Sequence, residues 1–204
     1  MRGSWRLWRL IPVLLPMLLA ACVPAVRMKG DAGLLDAQRA REQTLAGADH
    51  WTLQGRLGVS DGRSGGSGSF SWTQDGDRYE FVLRGPAISG VDFRLSGGPD
   101  GALLEGGREG TLHGPDAEAL MRQALGWEVP LRELRAWVLG LRADGGQAEL
   151  SFGANRLPSL LQQDGWTVDY PAWDDSRHPP LPTKVYAAKP PYKVRLSIES
   201  WQFR

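Results

Sequence analysis

Apolar side chains alternate with polar or small ones along three successive stretches of the chain. Leu53, Gly55, Leu57 and Val59 alternate with Gln54, Arg56 and Gly58; Phe70, Trp72 and Gln74 with Ser69, Ser71 and Thr73; Tyr79, Phe81 and Leu83 with Glu80 and Arg84. A period of two predicts antiparallel strands that are apolar on one face only. Asp61-Gly62, Ser64-Gly65-Gly66 and Asp75-Gly76-Asp77 supply the turn chemistry between them. A further strand is predicted through Val91, Phe93 and Leu95, with weaker ones at Ala102 to Glu105 and Gly110 to His113.

Helical spacing interrupts this pattern twice. Leu34 to Leu45 is charged and helix-favouring, with Leu34, Gln38, Arg41 and Leu45 along one side. In the middle of the chain Asp116 can cap a helix through Leu120, Met121 and Leu125 that stops at Gly126. A second helix is predicted over Leu131 to Leu139, between Pro130 and Gly140, with Leu131, Leu134, Trp137 and Val138 on one face. Strand patterns resume at Ala148-Leu150-Phe152, Trp166-Val168-Tyr170, Thr183 to Ala187 and Val194-Leu196-Ile198, ending at Trp201 and Phe203. The expected fold is mainly β: an unclosed antiparallel barrel, or half-barrel, with two helices against its concave apolar side.

The N-terminus follows a different rule. Met1 to Ala21 carries Arg2, Arg6 and Arg9, no acid, and then an apolar run too short to span a bilayer. It ends in Leu19-Ala20-Ala21 followed by Cys22, the one cysteine of the chain. Small residues before a single cysteine form a lipobox, so residues 1–21 read as a signal peptide and Cys22 as the site of lipid attachment. Residues 22–33 read as a flexible tether, and 34–204 as a single domain large enough for its own core. Val23 stands where enteric bacteria place aspartate to retain a lipoprotein at the inner membrane, which favours the outer membrane, periplasmic face. Removing the signal leaves 21 basic against 23 acidic residues, a formal charge of −2. That near-balance argues against a nucleic-acid partner.

Catalytic chemistry is sparse. His50, His113 and His178 lie far apart in sequence, without metal-ligand spacing. Asp174, Ser176 and His178 offer triad residue types, but near neighbours on a proline-flanked loop do not converge as a nucleophile and base must. Gly62 to Gly68 precedes no helix and lacks a phosphate-loop lysine. No enzyme activity, cofactor or metal is expected, and the chain is expected to be a monomer. Nine tryptophans are many for this length, and core packing accounts for most of them.

These residues resemble the LolB family of outer-membrane lipoprotein receptors. The likeness is carried by Trp51 ahead of Gly55-Arg56-Leu57-Gly58-Val59; by Phe70-Ser71-Trp72-Thr73-Gln74 with Asp77-Arg78-Tyr79 and Gly85-Pro86; by Pro130-Leu131, Leu134 and Trp137 to Leu141; and by Gly165-Trp166, Val168, Tyr170, Leu181-Pro182, Val194-Arg195-Leu196, Ile198 and Trp201. The resemblance implies an apolar cavity that accepts the acyl chains of lipoproteins from the periplasmic carrier LolA and inserts them into outer-membrane lipid. If the aromatic-rich strand faces are concave, Leu57, Phe70, Trp72, Phe81, Leu83, Phe93 and Leu95 line it, with Leu134, Trp137 and Val138 beneath the lid. The same residues could equally form a sealed core. The family's protruding loop matches Gly85 to Gly90; here Ala87 follows the proline, and Ile88 is either the apolar tip of an insertion loop or an inward-packed strand residue. The residues alone leave open a different lipid-binding lipoprotein, or a structural envelope lipoprotein without a cavity.

Overall fold

The computed structural model describes residues 27–86, 92–107 and 110–204. Cys22, the loop residues Ala87 and Ile88, and the expected strand residue Val91 lie outside them. Two antiparallel meanders build the fold. The first is β2 (His50–Ser60), β3 (Gly65–Asp75), β4 (Arg78–Arg84), β5 (Phe93–Gly98), β6 (Gly101–Gly106) and β7 (Leu112–Gly114); the second is β8 (Ala148–Phe152), β9 (Pro158–Gln163), β10 (Trp166–Asp174), β11 (Leu181–Lys189) and β12 (Tyr192–Phe203). A short β1 (Met28–Lys29) pairs with β8. β12 pairs with β2 along nearly its whole length, from Lys193↔Ser60 to Phe203↔Trp51, and so fuses the meanders into one sheet of order β1-β8-β9-β10-β11-β12-β2-β3-β4-β5-β6-β7. β7 and β1 form its two edges and do not pair with each other, so the barrel is open, as the periodicity predicts.

The helices sit at informative points in the chain. α1 (Ala32–Leu45) precedes the first meander; α2 (Ala117–Leu125) and α3 (Leu131–Trp137) lie between β7 and β8. The segment that carries α2 and α3 therefore joins the β7 edge to β8, next to the β1 edge; α2 packs on β5, β6 and β7, and the end of α3 is tied to β9. Asp31 caps α1 by accepting the Leu34 N–H at 2.8 Å, and Asp116 caps α2 by accepting that of Ala119 at 2.7 Å. α2 ends at Gly126 in the left-handed region, φ +69°. α3 is two residues shorter than the expected Leu131 to Leu139, because the chain already turns at Val138 toward Gly140, φ +72°. Within the stretch read as tether, Met28–Lys29 is sheet-paired and α1 has begun at Ala32.

Strand β9 is absent from the periodicity reading. Leu160-Leu161 and Gln162-Gln163 blur its alternation, and Pro158 opens it at a position that needs no N–H, opposite an irregularity at Phe152. The missing signal is Asp164-Gly165, both at positive φ (53° and 79°), which forms the two-residue turn of a tight hairpin. Buried side chains run from Leu34 to Trp201 and form one dominant cluster between the sheet and the helices.

Close approach at Gly55 fixes how β2 and β12 meet. A Cβ there would lie 2.0 Å from the Ser197 carbonyl oxygen, beside the irregularity between Ile198 and Ser200, whereas one at Gly58 on the same strand would meet nothing within 4 Å. Gly55→Ala is expected to cost about 3 kcal/mol by overpacking against backbone, and Gly58→Ala to be neutral or stabilising by about 0.5 kcal/mol. Urea unfolding of the two variants checks this; equal midpoints would contradict the close approach.

Candidate functional site

The site is the apolar space between the concave sheet face and the helices. All ten residues expected to line it are buried in the same cluster: Leu57, Phe70, Trp72, Phe81, Leu83, Phe93 and Leu95 from the first meander, Leu134 and Trp137 from α3, and Val138 just beyond it. Their rings form a connected series. Trp201 meets Trp51 at 5.3 Å between centroids, Trp51 meets Trp72 at 5.2 Å, Trp72 meets Phe81 at 5.9 Å, and Phe81 stacks with Phe70 at 5.5 Å and Phe93 at 6.2 Å. Phe93 then reaches Trp127, between α2 and α3, at 6.5 Å. The expected list left out the other half of the wall. Leu161, Trp166, Val168, Tyr170, Val185 and Leu196, from β9 to β12, belong to the same cluster, and the alternation Trp166-Val168-Tyr170 was already visible as a strand signal.

A surface cleft touches this interior at Trp72 and is rimmed by Asp77, Asp116, Glu118, Arg132 and Arg135. The cleft, of about 360 Å³, lies between the turns at Asp77 and Pro99 and the starts of α2 and α3, walled by Trp72, Gln74, Tyr79, Ala117 and Leu131. That volume is at the low end of ligand sites, about 300–1,000 Å³. Burial, reinforced by Glu118 and Asp116, raises the Tyr79 hydroxyl to about 12, so it stays a neutral hydrogen-bond donor at the rim. Gln74 is buried and fully engaged: its amide accepts from the Trp72 indole at 3.2 Å and donates to the carbonyls of Gly76 and Arg78 at 2.8 and 3.1 Å. It closes the β3–β4 turn over the ring below.

Two polar clamps hold the lid, and neither was foreseen as a pair. Gln163, on the unexpected β9, accepts from the Trp137 indole (3.2 Å) and the Ala143 N–H (3.0 Å) and donates to the carbonyls of Ala143 (2.8 Å) and Gly145 (3.0 Å). One buried amide thus pins both the end of α3 and the loop after it to the sheet, while Trp137 packs on Trp166 at 6.1 Å. The second clamp comes from α1. Gln38 donates to the Gly140 carbonyl at 3.1 Å, Arg41 donates to that of Leu139, and Arg142 forms a two-pronged ion pair with Glu42 at 2.8 and 2.6 Å. The buried side of α1 is therefore Leu34, Gln38, Arg41 and Leu45, the side its spacing indicated.

Electrostatics follow from burial at this second clamp. Desolvation lowers Arg41 to about 10, against the pull of Tyr170 and Glu42, and its guanidinium stacks over Trp173 at 5.0 Å. Desolvation also raises the Tyr170 hydroxyl, opposed by the Arg41 charge. Burial alone would raise Glu42; hydrogen bonds from Arg142 and Gln38 and the Arg142 charge outweigh it, so the carboxyl sits below its ordinary 4.5. The Asp174 carboxylate accepts from the Ser176 hydroxyl (2.6 Å) and backbone and from Arg177, a local turn network. Among the described residues no three His, Cys, Asp or Glu side chains are placed to hold a metal, and no helix is long and apolar enough to cross a membrane.

Gln163→Leu strands buried backbone groups and the Trp137 indole, so it is expected to lower stability by about 3 kcal/mol or more, with hydrogen exchange rising first in residues 137–145. A uniform rise across the sheet would show that Gln163 is not a local clamp. Glu42, held below 4.5, favours the folded state above that pH and loses the contribution as pH falls through its folded value. Glu42→Gln should therefore lower the melting midpoint at about pH 7, and the gap should close toward about pH 3. A gap that stays constant over that range would discount the ion pair.

The comparisons agree with this geometry. An outer-membrane lipoprotein LolB of Xanthomonas axonopodis pv. citri (strain 306) is 37% identical over 197 residues, covering 90% of each chain, and one of Pseudomonas fluorescens (strain Pf0-1) is 34% identical, covering 81% of this chain and 80% of that one. A crystal structure of a LolA superfamily protein, NE2245 from Nitrosomonas europaea, has the same fold at a TM-score of 0.50 and 10% identity, covering 82% of this chain and 93% of that one. The family described as "Outer membrane lipoprotein LolB" matches residues 49–201, from the start of the first meander to Trp201, and the chain belongs to that family.

Proposed function

We propose that the protein is a lipid-anchored receptor at the periplasmic face of the outer membrane, which takes the acyl chains of lipoproteins from the soluble carrier LolA into its apolar interior and passes them into the bilayer. The observation that carries this reading is the placement of the lid. The segment holding α2 and α3 joins β7 to β8, packs its apolar side chains on a wall of aromatic and aliphatic residues, and is tied by polar clamps at the end of α3. Lifting α2 and α3 would expose that wall to acyl chains without breaking a strand pair.

Magnitudes constrain the mechanism. At about 0.8 kcal/mol per buried methylene, an acyl chain of about 16 carbons represents about 12 kcal/mol of transfer from water, and a triacylated cargo several tens. Noncovalent affinities saturate near about 18–21 kcal/mol, so a site that captured the whole transfer energy would not release its cargo. The chains instead pass from cavity to cavity to bilayer without meeting water, each step slightly downhill, and no nucleotide is needed. Side chains that fill the interior suit such a site. Cargo displaces the lid rather than entering a preformed void, which keeps the net affinity modest.

Cys22 provides the anchor in this reading, residues 1–21 the signal peptide, and the loop at Ala87 and Ile88 the contact with lipid tails. The acylated protein, mixed with cargo-loaded carrier and then with outer-membrane vesicles, is expected to accept cargo and deliver it. Ile88→Glu should accept cargo at an unchanged rate but slow delivery at least about tenfold, as expected when a charge replaces an apolar tip at the interface. Failure of the parent protein to accept cargo would overturn the receptor reading; normal delivery by the variant would overturn only the role of the loop.

A further inference from the structure

The outer face of the sheet carries a basic surface that neither the cavity nor the lid uses. Strand register gives its layout. One cross-strand row reads Lys184, Ser197, Arg56, Ser69, Arg84 from β11 to β4. The next row toward the β2–β3 turn reads Tyr186, Arg195, Gly58, Ser67, and a third reads Ala188, Lys193, Ser60, Gly65. Lys184, Lys193, Arg195, Arg56 and Arg84 are all exposed. At about 4.8 Å per strand and about 6.8 Å per residue pair along a strand, the rows cover about 19 by 14 Å. The positions between the cations are Ser, Gly or Ala, with Tyr186 the exception, its ring 5.5 Å from the Arg195 guanidinium. Few large side chains therefore stand between the cations; at the margins Asp169, beside Tyr186 on β10, pairs with Arg27, and the exposed Glu199 follows Ser197 on β12.

The ends of the sheet differ in how their charges are used. At the β3–β4 and β5–β6 turns the cations face acids: Arg78 with Asp100 (3.3 Å), Arg135 with Asp77 (3.8 Å), Arg132 with Glu118 (3.7 Å). Among the described residues none of the five basic side chains of the patch forms an ion pair. Apart from Glu199, the acids around the patch have other partners. Asp61 in the β2–β3 turn accepts the N–H groups of Arg63 and Ser64, Asp92 accepts that of Gly85, and Glu80 pairs with Arg94 at 3.2 Å. Beside the patch, Lys193, Arg195 and Ser60 border a cleft of about 600 Å³ together with Pro86, where the β4–β5 loop departs.

We infer that this face is a docking surface for anionic phospholipid headgroups, which holds the anchored domain with Gly85 and Pro86, at the end of β4, toward the bilayer. Unpaired cations separated by small residues are free to reach mobile phosphates without a matching surface shape, and the near-neutral charge of the mature chain makes the concentration of cations on one face a local feature. The inference rests on the proposed anchor at Cys22 but not on the cavity, since its test contains no cargo. Tethering raises the effective concentration of headgroups, so a weak contact suffices to set orientation.

The acylated full chain would be placed on phosphatidylcholine vesicles or on vesicles with about 30% phosphatidylglycerol, and its lysines acetylated with a water-soluble reagent. We expect Lys184 and Lys193 to react at least about fivefold more slowly on the anionic vesicles, where each basic side chain contributes about that factor, with Lys29 unchanged. About 0.5 M salt should remove the protection. The triple variant Arg56→Gln, Arg84→Gln, Arg195→Gln should lose it while keeping the parental melting midpoint. Equal rates on both vesicles, or protection that survives the triple variant, would overturn the proposal. Equal protection by inorganic phosphate alone would replace the surface with a discrete phosphate site. Protection by polyglutamate without vesicles, with no protection on the anionic vesicles, would reassign the face to an acidic protein partner.

Discussion

The pairing of β12 with β2 joins the last strand of the chain to the first long one and turns two separate meanders into a single wall. Without it, each meander would be a small curved sheet with an apolar face too large to shield. With it, the aromatic series from Trp201 through Trp51 and Trp72 to Phe93 becomes continuous, because Trp201 and Trp51 reach each other only across that seam. The seam also determines where the sheet must stay open. Once β12 and β2 are central, the edges are β7 and β1, and the segment that holds α2 and α3 leads from the β7 edge to β8, the neighbour of β1.

That arrangement links stability to mobility. Strand pairs are cooperative and extensive, whereas the lid is retained by side chains: Trp137 on Trp166, the Gln163 amide, and the carbonyls of Leu139 and Gly140 held from α1. α3, seven residues long, shares no strand pairing and is held by the buried Leu131, Leu134 and Trp137 together with these clamps. The wall can remain intact while its cover moves. For a protein whose proposed cargo is a set of acyl chains, this separation matters more than the size of any void in the resting state.

Much of this was legible in the sequence, for identifiable reasons. Alternation in β2, β3 and β4 is clean because one face is buried and the other is wet, so Leu57, Phe70, Trp72, Phe81 and Leu83 could be assigned to one face. Gly126 and Gly140 marked helix exits because both adopt positive φ. β9 was illegible by period, since paired leucines and paired glutamines hide which residues point inward; only the Asp164-Gly165 turn announced it. The clamp at Gln163 was lost with that strand. Arg41 shows the opposite case: its helical spacing with Leu34 and Leu45 put it on the buried side, but no sequence pattern reveals that its guanidinium donates to a carbonyl ninety-eight residues away. The basic face was equally hidden, because its members come from four strands and become neighbours only through register.

The central position of β12 also bears on how the protein is made. Contacts between residues 193–203 and 51–60 are the most distant in sequence that the sheet contains along its seam, and non-local pairings form late. A chain emerging N-terminus first can form the β2–β7 meander, but it cannot complete its wall until the final strand has arrived. A product truncated before Tyr192 would display β2 as an unpaired edge, a surface prone to aggregation. Completeness of synthesis is checked by the same strand pair that makes the interior continuous.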